Sequence, residues 1–320
     1  MLKTSPIGPF LETQGYLILD GGLATELENR GQNLHHRLWS AKLLISDPDQ
    51  IRKVHLAYLH AGANCIISAS YQANLQGFMA EGLSRKKAEL LLKNTVKLAQ
   101  NARDAFLESK RNQITSDLTP LIAASIGPYG AFLADGSEYR GKYTLSSAAL
   151  RSFHQSRWEI LAQTSADLFA CETIPSLQEA EVLREIIDQT PDIYVWISFS
   201  CSDAGHINDG TSIQKAVSIF EGCKQVVSVG VNCTAPRFIS MLIKKIMGSN
   251  LQIPIIVYPN SGETYNAEEK KWQGTTDPLD FSQLAKEWYK LGARLIGGCC
   301  RTGPDHIKFL KRVLSNPASF

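Results

Sequence analysis

The sequence predicts a single-domain α/β fold of the (β/α)8 TIM-type barrel class. Three observations indicate it: eight short apolar runs recur along the chain, helical patterns separate them, and the segments after several runs are long. Strands that are apolar throughout are typical of a parallel sheet covered by helices on both faces. Eight strand–helix units are the number that closes such a sheet into a barrel.

The eight predicted strands are rich in Ile, Val, Leu, Ala and aromatic residues. In the first half of the chain they are YLILD (16–20), CIISAS (65–70), LIAASIG (121–127) and LFACET (168–173). In the second half they are IYVWISF (193–199), VVSVGVNC (226–233), PIIVYPN (254–260) and LIGGCC (295–300).

The segments between these runs carry helix signals. Ser176 and Glu179 have the spacing of a capping box, and the apolar residues that follow recur at helical intervals up to Ile187. Proline after Asp47 and after Gly303 indicates two further helix starts. An apolar stripe from Ala88 to Phe106 predicts one long helix.

The connections differ in length on the two sides of the predicted strands. Those that follow strands are long at 21–46, 128–146, 200–211 and 261–278, whereas returns to strands such as HAGAN and LGAR are short. In barrels, the carboxyl ends of the strands and their following loops build the active site. An open, doubly wound sheet is the alternative architecture. Since no Pro-, Gly- or Ser-rich linker divides the chain, we expect one domain over residues 1–320.

Charge and composition narrow the classes of partner. The 320 residues include 33 Lys and Arg against 31 Asp and Glu, and no block of five or six like charges occurs. This balance does not favour nucleic acid or an anionic membrane as a partner. The N-terminal segment lacks the pattern of a signal peptide, and no apolar run approaches the ~18 residues of a membrane span. We therefore expect a soluble, cytoplasmic protein.

Three of the seven cysteines lie at predicted strand ends. Cys233 ends the sixth strand, and Cys299 with Cys300 ends the eighth. Only one strand separates these two in a barrel, so the three thiols can converge on one ion. Three protein ligands plus an open position are typical of catalytic zinc. For the remaining cysteines we favour a role as small apolar core residues: Cys65, Cys171, Cys201 and Cys223.

Adjacent residues of a strand point to opposite faces, so Cys299 and Cys300 need a break in the pleat to share a ligand. Gly297 and Gly298 tolerate the backbone angles for such a break. Two other interpretations remain open. The three thiols are buried core groups, or Cys299 and Cys300 form a strained, redox-active disulfide, which leaves Cys233 without a role.

Several strand-end motifs together resemble the homocysteine S-methyltransferase family, most closely its S-methylmethionine-dependent branch. In chain order they are DGGLATELENRG, ASYQAN, GPYGAFLADGSEYRG, CETIP, NDGTS, GVNC, YPNSGETYN and GARLIGGCCRT, and they span nearly the whole chain. The pairing of GVNC with GGCC is the most specific of these matches.

The resemblance implies a zinc-dependent enzyme that transfers a methyl group from S-methylmethionine, and possibly from S-adenosylmethionine, to homocysteine, giving methionine. Cys233, Cys299 and Cys300 are then the Zn²⁺ ligands and homocysteine supplies the fourth through sulfur. A metal-bound thiol is deprotonated, which makes it a nucleophile at neutral pH. Homocysteine and S-methylmethionine are the expected small-molecule partners.

The same motifs imply substrate-binding residues. Asp20 and Glu172 lie at strand ends, where their carboxylates suit the ammonium group of an amino acid; Asp20 has a competing role as a loop acceptor. Gly21 and Gly22 let the backbone approach substrate or form a turn. Asn232 orients a ligand, bonds substrate or is a simple strand-end amide.

Four aromatic or amide residues are further candidates. Tyr71 or Gln72 is expected to contact the metal or substrate, although the tyrosine that covers zinc in the betaine-using branch aligns with Gln72. The aromatic rings of Trp39 and Tyr129 either face the cation of the methyl donor or pack within the loops that carry them.

Two other functions remain as alternatives: a homocysteine-binding barrel module without methyl transfer, and a thiol redox protein. Motifs for dinucleotide binding, P-loop chemistry and serine hydrolysis do not occur in the sequence. Oligomeric state is not readable from it.

Overall fold

The computed structural model describes residues 5–34, 36, 38–111, 118–249, 251–262, 264–266, 271–273 and 277–315. Every strand predicted from the sequence has a counterpart within these ranges, and the observed strands are mostly shorter. The eight main strands are β1 (Leu17–Ile18), β2 (Cys65–Ile67), β3 (Leu121–Ile126), β4 (Leu168–Ile174), β5 (Val195–Phe199), β6 (Val226–Asn232), β7 (Ile255–Tyr258) and β10 (Ala293–Ile296). A separate antiparallel hairpin follows β7 and consists of β8 (Thr264–Asn266) and β9 (Lys271–Gln273).

The main strands form one parallel sheet in the order β1-β10-β7-β6-β5-β4-β3-β2. The two outer strands meet through a parallel bridge between Leu19 and Cys65, and the Asn64 amide donates to the Ile18 carbonyl at 2.7 Å. These contacts close the sheet, which confirms the barrel and excludes the open doubly wound alternative. β6 and β10 flank β7, so their carboxyl ends are two strands apart, as expected.

Helices alternate with the strands and cover the barrel. They are α1 (Gly8–Gln14), α2 (Leu23–Asn29), α3 (Leu43–Ser46), α4 (Pro48–Ala61), α5 (Leu75–Ala80), α6 (Arg85–Lys110), α7 (Tyr129–Leu133), α8 (Ser147–Leu161), α9 (Leu177–Asp188), α10 (Ile213–Ser218), α11 (Pro236–Met247), α12 (Pro278–Lys290) and α13 (Pro304–Leu314). Short 3₁₀ turns occupy Trp39–Lys42 and Ser137–Tyr139. None of the helices within the described ranges is long and apolar enough to cross a membrane.

Helix starts follow the capping signals with one exception. α4 and α13 begin at Pro48 and Pro304 as predicted, because proline lacks only an amide that the first turn leaves unbonded anyway. Ser176 caps α9 by accepting from the Glu179 amide at 3.3 Å. The capping box is nevertheless incomplete, because the Glu179 carboxylate turns away from the cap and bonds a neighbouring loop.

Two apolar cores result from the apolar strands. The inner core fills the barrel with side chains such as Leu19, Trp196 and Leu295, and Ile7 and Phe10 of the α1 segment pack against it. The outer core lies between the barrel and the surrounding helices. Since α1 precedes β1 and packs on the inner core, the loops after the strands remain free to form a site at the opposite, carboxyl end.

Candidate active site

The three cysteines predicted at strand ends lie together at the carboxyl end of the barrel. Cys233 follows β6 directly, and Cys299 and Cys300 follow β10. Their Sγ atoms all lie within 4.8 Å of one another, and the Cys233 and Cys300 sulfurs are 3.5 Å apart. Within the described ranges, they form the only group of three or more Cys, His, Asp or Glu side chains arranged to share a metal ion.

The break in the pleat at Cys299 and Cys300 has a different origin from the one predicted. β10 ends at Ile296, before the two glycines, and neither Gly297 nor Gly298 has a positive φ. The glycines are needed instead for close packing. A Cβ atom at Gly297 would lie 2.5 Å from the Leu19 Cβ, and one at Gly298 would lie 2.2 Å from the Thr302 Oγ1.

The three thiols influence one another's ionisation. The Cys233 and Cys299 thiols donate to the Cys300 sulfur, and this holds the pKa of Cys300 well below its usual range. Hydrogen bonds with Cys233 and Cys300, together with burial, raise the pKa of Cys299. Because the three thiols interact this closely, they titrate as one coupled group.

A cavity of about 630 Å³ opens above the thiols. The loops after β1, β2, β3, β6, β7 and β10 and the end of β4 contribute to its wall. Of the long connections noted in the sequence, 21–46, 128–146 and 261–278 therefore reach this cavity, whereas 200–211 contributes no lining residue. The residues used below that line it are Asp20, Gly21, Gly22, Trp39, Tyr71, Gln72, Ala134, Glu138, Tyr139, Glu172, Thr173, Cys233, Tyr258, Cys299, Cys300 and Arg301.

Asp20 follows β1 and is 3% exposed. Its Oδ2 accepts from the Ile67 amide at 2.9 Å, while its Oδ1 is buried and has no partner within the described ranges. Burial raises the pKa of this carboxyl well above its usual value. One Asp20 oxygen thus ties β1 to β2, which is the structural role considered for it at sequence level, while the other oxygen has no partner within the described ranges.

Glu172 lies within β4 and is 6% exposed. Its Oε1 accepts from the Ser125 hydroxyl of β3. Burial raises its pKa to about 7, although the Ser125 and Tyr258 hydroxyls act in the opposite direction. The two deep carboxylates, Asp20 and Glu172, also repel each other, and this repulsion contributes to the raised pKa of Asp20. A cation between them would relieve that repulsion.

Gly21 and Gly22 pack against the loop that follows β10. A Cβ atom at Gly21 would lie 2.7 Å from the Thr302 carbonyl oxygen, and one at Gly22 would lie 2.7 Å from the Cys299 carbonyl oxygen. The Gly22 amide donates to the Thr302 carbonyl at 2.9 Å. Both glycines line the cavity, and their small size brings the first loop into contact with the cysteine-bearing loop.

Asn232 is fully buried and is not part of the cavity wall. Its Oδ1 accepts from the Thr173 amide and its Nδ2 donates to the Thr173 hydroxyl, each at 2.7 Å. Both ends of the amide are therefore occupied by the residue that follows Glu172. The side chain links the end of β6, next to Cys233, to the end of β4.

Backbone strain is concentrated around this cavity. Among the described residues, five that are not glycine have a positive φ, and all five line the cavity: Trp39 (45°), Ala134 (54°), Thr173 (60°), Cys233 (46°) and Arg301 (64°). Such a conformation is a genuine outlier for a β-branched residue like Thr173. Strained residues of this kind cost about 1–3 kcal/mol each and cluster at functional sites.

The four further candidates from the sequence separate into two groups. Tyr71, Gln72 and Trp39 line the cavity, and the Gln72 amide nitrogen donates to the Ala131 carbonyl at 3.2 Å. Tyr129 is outside the cavity wall and packs edge-on against the rings of Phe153 and Tyr143. Its role is therefore loop packing, the second of the two roles considered.

Sequence reasoning missed Glu138 and Tyr139, which line the cavity from the loop after β3. The Tyr139 hydroxyl lies 3.0 Å from the Cys233 sulfur. Both residues lie inside the motif GPYGAFLADGSEYRG, so the signal was present. Their place within the loop, however, depends on how it folds back over the barrel, which its sequence does not determine.

The other four cysteines, Cys65, Cys171, Cys201 and Cys223, are buried free thiols. Cys65 belongs to the inner core and Cys171 to the outer core. Burial raises the pKa of each of them. None of the four lines the cavity, which matches the core role expected for them.

Comparisons with known proteins agree over nearly the whole chain. The model of the family described as homocysteine S-methyltransferase matches residues 17–314. Homocysteine S-methyltransferase YbgG of Bacillus subtilis is 46% identical over 304 residues, which cover 95% of this chain and 96% of that protein. The homocysteine S-methyltransferase of Escherichia coli is 45% identical over 312 residues, covering 97% of this chain and 99% of that protein.

The same similarity holds in three dimensions. The metallated form of the homocysteine methyltransferase MmuM from Escherichia coli superposes with a TM-score of 0.86 at 43% identity. The superposition covers 96% of this chain and 99% of that chain. The likeness therefore includes the barrel strands and the loops that surround the thiol cluster.

Proposed function

Because the chain belongs to the homocysteine S-methyltransferase family, we propose that it transfers a methyl group from S-methylmethionine to homocysteine, with Zn²⁺ held by Cys233, Cys299 and Cys300. The observation that carries this proposal is the group of three thiols within 4.8 Å at the floor of a cavity lined by buried carboxylates. We also propose that residues 1–320 act as one homocysteine-binding domain, since the family match spans all eight barrel strands.

The donor set fits zinc. Tetrahedral Zn²⁺ with Zn–S bonds of about 2.3 Å requires sulfurs about 3.8 Å apart, which is close to the separations observed. Three thiols from two strand ends beside an open cavity match a catalytic site with one position left for substrate. Thiolate ligands favour Zn²⁺ over Mg²⁺, Ca²⁺ or Mn²⁺, which prefer oxygen donors.

The reaction needs a deprotonated acceptor and a neutral leaving group. Zn²⁺, when bound, lowers the pKa of a coordinating thiol so that homocysteine loses its proton at neutral pH. The acceptor's sulfur lone pair then forms the new bond to the methyl carbon. The sulfonium–methyl bond breaks, its electron pair returns to the donor sulfur, and the acceptor's thiol proton goes to solvent. Both products are methionine.

The protein's own residues bind and orient the acceptor. Asp20 Oδ1 and the Glu172 carboxylate, both buried at strand ends, accept from the ammonium group of homocysteine. The Asn232 amide holds Thr173, and through it the end of β4, in the strained backbone conformation beside Glu172. The Tyr139 hydroxyl, 3.0 Å from the Cys233 sulfur, can donate a hydrogen bond that stabilises the Cys233 thiolate.

The donor assignment rests on how the first loop approaches the site. S-Adenosylmethionine is usually held by a Gly-rich loop after a strand together with an acidic residue for the ribose, and the sequence contains no G-x-G-x-x-G pattern. The glycines of the first loop pack against the β10 loop instead of forming a nucleotide cradle. Trp39 lines the cavity, and its ring can face the sulfonium cation of a small donor.

Steady-state assays of the zinc-loaded protein test the proposal, with homocysteine fixed and each donor varied. We expect kcat/KM for S-methylmethionine to exceed that for S-adenosylmethionine by at least about tenfold, or ~1.4 kcal/mol. Cys233→Ser should lose stoichiometric zinc and methyl transfer, whereas the matched Cys223→Ser should retain both. Equal or reversed donor preference would overturn the donor assignment but not the proposed role of the three cysteines in methyl transfer.

The same assays separate the two alternatives. A homocysteine-binding module would bind zinc and homocysteine but transfer no methyl group from either sulfonium. A thiol redox protein would contain no stoichiometric zinc and would instead form a disulfide within the Cys233, Cys299 and Cys300 cluster.

A further inference from the structure

The two substrates of the proposed reaction each bring an ammonium group to the cavity, and the two deep carboxylates are placed to bind only one of them. Homocysteine carries one ammonium group, which Asp20 and Glu172 suit. S-Methylmethionine carries a second ammonium group in addition to its sulfonium. A donor of this kind therefore needs a further anionic partner within the same cavity.

Glu138 has a carboxylate in the cavity wall to which neither substrate has been assigned so far. It belongs to the 3₁₀ turn Ser137–Tyr139, is half-buried and lines the cavity from the loop after β3. Its Oε2 is buried and has no hydrogen-bond partner within the described ranges. A buried carboxylate oxygen without a donor is costly, and in native sites a ligand commonly supplies the missing one.

The position of Glu138 is well determined by its backbone. Its carbonyl oxygen accepts from the Ser200 hydroxyl at 3.1 Å and from the Asn208 amide at 3.3 Å, both in the loop after β5. These bonds hold the turn against a second loop. The side chain is thus presented by an anchored segment, which suits specific binding because little ordering entropy is lost when a ligand binds.

The nearest cation of the same loop is already engaged elsewhere. The Arg140 guanidinium lies 3.3 Å from Asp135 Oδ2 and donates to the Ser137 hydroxyl at 3.1 Å. It does not hydrogen-bond to Glu138. The charge of Glu138 consequently remains available to a cation that enters the cavity.

Glu138 also lies close to the reacting centre. The adjacent residue, Tyr139, places its hydroxyl 3.0 Å from the Cys233 sulfur, and consecutive Cα atoms are only about 3.8 Å apart. Burial raises the pKa of Glu138, and the negative charges of Asp135 and of a Cys300 thiolate raise it further. Glu138 and the thiol cluster therefore line the same cavity, close enough for their charges to interact.

We propose that Glu138 binds the α-ammonium group of the methyl donor and thereby selects amino-acid sulfonium donors over sulfonium compounds that lack an amino group. The inference rests on the methyl-transfer function proposed above. The unpartnered oxygen, the anchored turn and the closeness to Cys233 support the donor as its ligand. The ammonium group of homocysteine, by contrast, binds to the deeper carboxylates of Asp20 and Glu172 at the ends of β1 and β4.

The test compares two sulfonium compounds that differ in the amino group. S-Methylmethionine is assayed as the varied donor, and 3-dimethylsulfoniopropionate, which has the sulfonium and a carboxylate but no ammonium, is assayed as a donor or as a competitive inhibitor. The wild-type protein should bind the compound without the ammonium about 30-fold more weakly, as loss of one partner of a buried charge pair implies. Glu138→Gln should raise KM for S-methylmethionine about 30-fold and remove this discrimination.

Two controls make the result specific. Glu181→Gln removes one negative charge from the exposed face of α9, outside the cavity wall, so it should preserve the discrimination. The KM for homocysteine should stay the same in Glu138→Gln.

Three results would overturn the inference. Glu138→Gln could still discriminate between the two sulfonium compounds, it could lose affinity for both equally, or it could lose affinity for homocysteine instead. If one of these results is found and the wild-type protein still methylates homocysteine, the inference is wrong but the proposed function stands. A wild-type protein inactive with S-methylmethionine would overturn the function and this inference together.

Discussion

Glu172 combines deep burial with a position on the cavity, and its ionisation determines what it can bind. Its pKa of about 7 means that the carboxyl is protonated at pH 6 and charged at pH 8. Only the charged form pairs with the ammonium group of homocysteine. Affinity for homocysteine should therefore rise as the pH rises through 7.

Glu172→Gln tests this role. At pH 8 we expect homocysteine binding to weaken by about 2–5 kcal/mol, while zinc stays bound, because one partner of a buried charge pair is lost. At pH 6 the difference from the wild-type protein should shrink, since the wild-type carboxyl is then protonated too. Calorimetry on the zinc-loaded proteins measures both, with Glu181→Gln on the exposed face of α9 as the control. Unchanged affinity at pH 8 would assign Glu172 a structural role.

Among the helices, α4 carries an uncompensated polar group. His55 is fully buried, and neither ring nitrogen has a hydrogen-bond partner within the described ranges. Burial lowers its pKa to about 4. The folded protein therefore holds this ring neutral at a pH where the unfolded chain would protonate it.

His55→Leu should stabilise the protein. At pH 7 we expect the free energy of unfolding to rise by about 1–3 kcal/mol, because a buried polar group without partners is replaced by an apolar one. Below pH 6.5 the unfolded chain gains a proton at His55 that the folded state does not take up, so wild-type stability falls between pH 6.5 and 4. That loss amounts to about 3 kcal/mol and is absent in the variant.

Urea unfolding at pH 7 and pH 5 measures both effects for His55→Leu. The gap between variant and wild type should widen at the lower pH. His60→Gln changes an exposed histidine on the same helix; it loses only an edge-on contact with the Phe106 ring, so its effect should be small and should not widen at the lower pH. A variant less stable than the wild type would show that His55 has a partner that contributes to the fold.

The loop after β3 depends on a second helix, α9. The Glu179 carboxylate accepts from the Tyr129 amide at 2.6 Å and contacts the ring of the buried His154 at 2.7 Å. This arrangement holds the beginning of the loop that later presents Glu138 and Tyr139 to the cavity. It also explains why Glu179 cannot complete the capping box predicted for α9.

On the scale of the whole molecule, the thiol cluster joins two distant parts of the barrel. Cys233 ends β6, whereas Cys299 and Cys300 follow β10, and β7 lies between them. A shared ion would therefore link segments 66 residues apart in sequence, counted from Cys233 to Cys299. Since the unfolded chain does not hold these thiols together, the metal should stabilise the folded state.

Removal of the metal should lower the free energy of unfolding. With free zinc at about 1,000 times its dissociation constant, the difference between loaded and chelated protein should be about 4 kcal/mol. Thermal unfolding with and without a chelator measures it. Cys233→Ser should show no chelator-dependent shift; a shift equal to that of the wild type would place the stabilising metal elsewhere.

Local sequence patterns alone determined the elements of this fold. Apolar runs and helical periodicity depend on neighbours in the chain, so they identified all eight barrel strands, the starts of α4 and α13, and the long helix α6. The barrel itself also followed, because eight apolar strands with helices between them have few other ways to bury their surfaces. Cys233, Cys299 and Cys300 could be named as site candidates because strand ends converge on one face, whereas Asp20 and Glu172 were implied by the family resemblance.

The tertiary structure decided what each side chain contacts. The Glu179 carboxylate had a cap within reach along its own helix but bonds Tyr129, and Asn232 turns to Thr173 instead of the cavity. Gly297 and Gly298 are needed for contacts with Leu19 and Thr302, not for unusual backbone angles. Glu138 and Tyr139 reach the site through a loop anchored by residues 62–94 positions away. Such contacts depend on how segments far apart in the sequence pack together. The pattern of residues within one segment does not determine that packing.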